Sequence, residues 1–206
     1  EMLAQSPVHF RGVGGAQLGS YVSAAGDVNS DNLFDLLIGE RASDRAFLVF
    51  GYPGPLASIT LNEGQTGIYT VLHAPATIVG LAGAGDVNGD GRDDLLITAG
   101  STAYLLFGRL APWPASVDVA SEAVARFSNV TGALGLGDIN GDQRSEWVTM
   151  ENGRVRLYRW NASGGAAIEV TNVTTADSSP RVAALGDVDG DDLADWLYSD
   201  GANRIL

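Results

Sequence analysis

The sequence predicts an all-β chain built from β-propeller blades, each a four-stranded antiparallel sheet. Three observations carry this. An acidic loop recurs four times, starting at residues 27, 86, 138 and 187 and so spaced 59, 52 and 49 residues apart, the period of a propeller, solenoid or array. Short apolar runs flank every copy; bounded by glycine or acidic residues, they read as strands. Glycine is abundant (27) and proline is not (7), which suits many tight turns between strands.

The elements follow in order. Residues 1–20 form a glycine-rich lead-in whose one candidate strand is Val8-His9-Phe10. The first blade, 21–65, runs through Tyr21–Ala25, the acidic loop, Leu36–Ile38, Ala46–Gly51, a turn at Tyr52-Pro53-Gly54-Pro55, and Ser58–Leu61. The second, 66–120, repeats this with Ile78–Ala82, Leu95–Ile97, Tyr104–Gly108 and Val117–Val119. The third, 121–172, has Ala133–Leu136, Trp147–Thr149, Val155–Tyr158 and the weaker Ala167–Val170. The fourth, 173–206, has Val182–Leu185 and Trp196–Tyr198 and stops at Arg204–Leu206, where a third strand is starting. Four strands per unit, with the loop between the first and second, is a propeller blade. Small residues in the first strands (Ala24, Ala25, Ala82, Gly83, Ala84, Gly135) fit strands crowded round a central axis. Proteins generally avoid unpaired sheet edges. The chain is therefore expected to be part of a larger propeller, the rest supplied by a longer chain or another subunit. The alternative is a closed four-bladed ring completed by Val8–Phe10.

The loops carry the chemistry. In Asp86-Val87-Asn88-Gly89-Asp90-Gly91-Arg92-Asp93-Asp94, oxygen-bearing side chains sit at the first, third, fifth and ninth positions: Asp86, Asn88, Asp90 and Asp94. Asp27, Asn29, Asp31 and Asp35 repeat the register, as do Asp138, Asn140, Asp142 and Glu146, and Asp187, Asp189, Asp191 and Asp195. The main-chain carbonyl of the seventh residue (Leu33, Arg92, Arg144 or Leu193) can complete each shell. Hard oxygen ligands in a flexible loop suit Ca²⁺ better than the stricter Mg²⁺, and about four ions per chain are expected. With no cysteine and two histidines, zinc and copper are poor candidates. An EF-hand would need Glu at position twelve and flanking helices; here position twelve is Ile38, Ile97, Thr149 or Tyr198, and the flanks are strands.

The net charge is −13, and the loop ligands hold thirteen of the 25 acidic groups. Four bound Ca²⁺ would bring it to about −5. Metal-site chemistry thus accounts for most of the acidity, and no basic stripe is available to neutralise nucleic-acid phosphates. No apolar run approaches the length of a membrane span, so no membrane insertion is expected. Cytosolic Ca²⁺ is scarce, whereas extracellular modules can use weak sites. The expected location is therefore outside the cell or on its surface. The sequons at Asn129, Asn161 and Asn172 agree with export without establishing it.

With strands and loops placed, the units resemble FG-GAP repeats, the blades of integrin alpha-subunit propellers and of many bacterial surface proteins. Leu18-Gly19-Ser20-Tyr21-Val22 is similar to the family's FG-x-S-V lead-in. Gly26-Asp27-Val28-Asn29, Gly85–Gly91, Gly137–Asp142 and Gly186–Asp191 resemble its G-D-[VIL]-[ND]-G-D-G core, and Phe50-Gly51 and Phe107-Gly108 its strand-ending FG. The GAP part is poor: Gly39-Glu40-Arg41-Ala42 keeps only its glycine. At the sixth loop position, where glycine is usual, stand Asn32, Gly91, Gln143 and Asp192. Gln143 and the longer Glu146 mark the third site as the weakest, and four carboxylates mark the fourth as among the tightest. The resemblance implies a non-catalytic, Ca²⁺-rigidified extracellular propeller used for adhesion, protein contacts or glycan binding. The alternative is a carbohydrate-binding propeller attached to a secreted enzyme.

Other constellations carry less. His9 and His73 lie in no nucleophile-elbow or metalloprotease motif, so no catalytic residue is expected. Asp93, outside the ligand register, reads as a solvated charge. Trp147 and Trp196 occupy matching second-strand positions and are expected to pack blades; Trp113, bracketed by prolines, is the candidate for an exposed contact. Asp177-Ser178-Ser179 reads as loop.

Overall fold

The computed structural model describes residues 8–13, 17–54, 58–63, 67–161, 163 and 165–199. The first half of the chain forms β1 (Phe10–Gly12), β2 (Leu18–Gly26), β3 (Asp35–Glu40), β4 (Arg45–Val49), β5 (Ile59–Leu61), β6 (Tyr69–His73), β7 (Ile78–Gly85), β8 (Asp94–Ala99) and β9 (Thr102–Leu106). There follow β10 (Ser116–Asp118), the four-residue helix α1 (Val119–Glu122), β11 (Ala125–Ser128), β12 (Val130–Gly137), β13 (Glu146–Glu151), β14 (Arg154–Asn161), β15 (Ala166–Thr174), β16 (Val182–Gly186) and β17 (Asp195–Tyr198). No helix among the described residues is long and apolar enough to cross a membrane.

The strands form antiparallel blades. The first is β2-β3-β4-β6, the second β7-β8-β9-β11, the third β12-β13-β14-β15, and β16-β17 is the described part of the fourth. The inner strands pack in sequence, β2 on β7, β7 on β12 and β12 on β16. Small residues permit this: a Cβ on Gly135 would lie 2.5 Å from the Gly83 carbonyl oxygen, closer than real atoms approach.

Alternation along the strands sends side chains to both faces of each blade. Leu37, Leu48 and Leu72 join Leu95, Ile97 and Leu106 in a core between the first and second blades. Leu96, Leu105 and Trp147 form the next core, and Leu136, Val148 and Leu157 meet Trp196 in the third. The opposite face of the first blade, with Ile38, Phe47, Val49, Tyr69 and Val71, is packed by Phe10 and Ile59.

Three strand expectations are corrected. Ile59–Leu61 is not the fourth strand of the first blade; Tyr69–His73 is, pairing antiparallel with β4. Val117–Val119 is not the fourth strand of the second, which is Ala125–Ser128 on β9. Instead β10 runs parallel to β6 and straps the second unit to the first, and Val119 enters α1, capped by the Asp118 side chain. The first two blades accordingly run past the expected ends at 65 and 120. Phe10 does not complete the fourth blade; β1 pairs parallel with β5 over the first. Several short apolar segments have similar alternation. In the first blade the paired strand is the deeply buried one, Tyr69, Thr70, Val71 and Leu72 all being buried, whereas in the second the half-exposed Ala125–Ser128 pairs with β9 and the buried Val117 lies on β6 instead. The third blade has its expected strands, lengthened at their ends; Arg204–Leu206 lies outside the described residues.

Candidate metal centres and the joints between them

Each acidic loop closes on itself through its own main chain. Just before it, the first hairpin slips register at Gly26, Gly85, Gly137 and Gly186, and these glycines take φ between +69° and +89°. The chain then turns sharply enough for the first carboxylate to face back into the loop. Asp27 accepts the Asp31 and Asn32 N–H groups at 3.1 and 2.8 Å. Asp86 accepts those of Gly89, Asp90 and Gly91 at 2.7, 3.1 and 2.8 Å. Asp138 takes Gly141 and Gln143 at 2.7 and 2.8 Å, and Asp187 takes Gly190 and Asp192 at 2.7 and 3.0 Å.

The third and fifth positions repeat the pattern one step along. Asn29, Asn88, Asn140 and Asp189 accept the N–H of Asp31, Asp90, Asp142 and Asp191. Those four acids accept the N–H of Leu33, Arg92, Arg144 and Leu193. The sixth position is left-handed in all four loops, Asn32, Gly91, Gln143 and Asp192 having φ of 64°, 81°, 64° and 67°. Gln143 thus adopts the same turn as the glycine it replaces.

The ninth carboxylate ties loop to sheet. Asp35 accepts the N–H of Val28 and Gly51, at 2.9 and 2.7 Å, and Asp94 those of Val87 and Gly108, at 2.9 and 2.8 Å. The FG glycines therefore supply main-chain donors, a role their sequence position did not disclose. Glu146, with its longer arm, takes Ile139 N–H at 3.1 Å and the Asn140 amide at 2.6 Å, and Asp195 takes Val188 N–H at 2.9 Å.

In three of the loops burial disfavours the charged form of the ninth carboxylate. Burial, reinforced by neighbouring carboxylates, raises Asp94 to about 8, Glu146 to about 7 and Asp35 to about 6. In Asp138 the upward push of burial is outweighed by backbone donors, so its pKa falls; in Asp187 the Gly190 N–H leads the same downward shift. Carboxylate oxygens of Asp187, Asp189 and Asp195 lie within 4.8 Å of one another. Among the described residues this is the one loop whose carboxylates come that close, and Asp191 is not part of the cluster; the other three loops share its hydrogen-bond pattern. An all-oxygen, mostly anionic donor set of this kind fits a hard divalent cation.

The loops also touch one another. The N–H of the eighth residue reaches the carbonyl of the first residue in the preceding loop: Asp93 to Asp27 at 2.9 Å, Ser145 to Asp86 at 2.8 Å and Ala194 to Asp138 at 2.8 Å. Asp93 is therefore not a solvated charge. It is half-buried, and its carboxylate accepts the Asp27 N–H at 2.7 Å over Gly26, where a Cβ would lie 2.0 Å from Asp93 Oδ2. Only the glycine leaves room for it.

Trp113 is likewise not an exposed contact. At 6% exposure it is wedged against Phe50, donates from Nε1 to the Arg109 carbonyl at 2.9 Å, and lies under the Arg109 guanidinium at 4.5 Å. Trp147 packs as expected, fully buried and stacked on Tyr158, while Trp160 meets Phe107 edge-on. His73 Nε2 lies 3.5 Å from Glu63 Oε1, and Asp177 is in a loop, accepting the Ser199 hydroxyl at 3.3 Å.

Residues 138–198 match the model of the FG-GAP-like repeat and residues 80–106 that of the FG-GAP repeat. No curated protein matches the chain. The two matches cover the loop and following strands of the second blade and the whole span from the third loop to β17, the same strand–loop–strand unit that the structure builds four times. Residues 80–106 and 138–198 thus carry FG-GAP-type repeats, which support placing the chain with the FG-GAP repeat, integrin-like β-propellers.

Proposed function

We propose that this chain is a non-catalytic, Ca²⁺-stabilised propeller module that acts outside the cell or on its surface as a structural, adhesive or protein-interaction element. The observation that carries the reading is the fourfold repetition of one donor set. First, third, fifth and ninth side chains accept main-chain N–H groups of their own loop in all four copies. Chance does not hold thirteen carboxylates in loops that also join the blades. Ca²⁺ bound there would offset carboxylate repulsion and fix how successive blades pack. Asp27, Asn29, Asp31 and Asp35 would hold the first ion and their counterparts the other three, each with its seventh-position carbonyl. The partner would be a protein or glycan. The sequence candidate for a stacking ring, Trp113, is buried, whereas Phe34 and Tyr52 are exposed, so burial of Trp113 does not separate the two partners.

Calorimetric titration of the chelated protein, followed by melting with and without Ca²⁺, tests this. Close to four ions per chain and a large rise in melting temperature are expected. A site at 100 times its dissociation constant adds about 2.7 kcal/mol if the unfolded chain does not bind. No uptake at millimolar Ca²⁺ would remove the metal from the reading, and the extracellular assignment with it.

A further inference from the structure

Asp93 belongs to no ligand set, yet it takes both main-chain polar groups of Asp27, the first ligand residue of the first loop. Its N–H donates to the Asp27 carbonyl at 2.9 Å and its Oδ2 accepts the Asp27 N–H at 2.7 Å. The next residue, Asp94, is the ninth ligand of the second loop. One residue thus bonds to the first ligand residue of one loop and is the chain neighbour of the ninth ligand of the next. A second bridge runs beside it: the Gly108 N–H donates to Asp94 Oδ1 at 2.8 Å, and the Arg109 N–H to the Val28 carbonyl at 2.9 Å. Ser145 and Ala194, at the same position in the next two loops, make the main-chain bond, but a serine or alanine offers no carboxylate.

We propose that Asp93 is a positioning residue that couples the first and second cation loops, so that filling either one raises the affinity of the other. The proposal rests on the Ca²⁺ reading above. Ordering the second loop fixes Asp94, hence the Asp93 peptide, hence the orientation of Asp27. The coupling is carried by a contiguous set of hydrogen bonds and must be reciprocal.

The test is Ca²⁺ calorimetry on the full chain with the third and fourth loops silenced by Asp142→Ala and Asp191→Ala. Adding Asp90→Ala leaves the first loop alone, and adding Asp31→Ala instead leaves the second. The product of the two association constants in the two-loop protein should exceed the product of the single-loop constants by about fivefold or more. Asp93→Ser, which places there the residue that already fits the next joint, should reduce that ratio to one. Asp93→Asn, whose amide oxygen can still accept the Asp27 N–H, should retain most of it, an outcome that a general loss of stability would not produce. A ratio of one in the parent, or a ratio unchanged by Asp93→Ser, overturns the coupling while leaving the Ca²⁺ reading intact. No uptake by the two-loop protein overturns both.

Discussion

Removing the cation and raising the pH should unfold this protein from the inside of its loops. Asp94 is fully buried, and its pKa is raised from 3.8 to about 8, chiefly by burial, despite two backbone donors. In the metal-free protein the folded state therefore binds a proton that the unfolded state has released between these two values. The stability from that proton is complete below pH 3.8 and is lost as pH rises through about 8. At about 1.4 kcal/mol per pH unit, the interval from pH 5 to pH 8 costs about 4 kcal/mol from Asp94 alone. Asp35 and Glu146, raised to about 6 and 7, act in the same direction over the lower part of that interval. Asp138 and Asp187, whose pKa values are lowered, titrate below it and do not oppose it. Urea denaturation in a chelator at pH 5, 6, 7 and 8 reads the slope. Asp94→Asn, which cannot ionise, should flatten it. Saturating Ca²⁺ should reverse it, because protons then compete with the cation for the same oxygens. Metal-free stability that is flat or rises between pH 5 and 8 would refute the argument.

Three further outcomes follow from packing and pairing. Trp147→Ala removes a fully buried ring stacked on Tyr158 at 5.9 Å and should cost about 3–5 kcal/mol in chemical denaturation. Gly135→Ala drives a methyl group against the second blade's inner strand, 2.5 Å from the Gly83 oxygen; a loss of about 1–3 kcal/mol or more is expected, read as a lower melting temperature. Glu40 is buried and receives Arg45 at 2.8 Å and the Ser43 hydroxyl at 3.1 Å. Glu40→Ala should cost about 2–3 kcal/mol and Glu40→Gln less, compared by urea midpoints at neutral pH.

What the sequence determined by itself was the loop and its repetition. Every internal bond of the second loop joins residues at most seven apart, such as Val87 to Asp94, so spacing alone places the ligands. The hydrogen bonds of Asp86, Asn88 and Asp90 to the main chain stay within the loop, Asp94 alone also reaching out to Gly108, and the period of the repeat gives the blade. Tertiary structure decided what lies between units. Ile59–Leu61 and Tyr69–His73 both read as short apolar strands, and only the space beside β4, closed on both faces by neighbouring cores, selects the second. Asp93 looks like any surface acid until Gly26, sixty-seven residues earlier, supplies the gap that it fills. Trp113 has the prolines of an exposed turn, but β10 pairs with β6 of the first blade and draws the ring in against Phe50. Local hydrogen-bond geometry is written in spacing; the choice among equivalent apolar segments depends on which strand each one pairs with, and that is set only once the blades have packed.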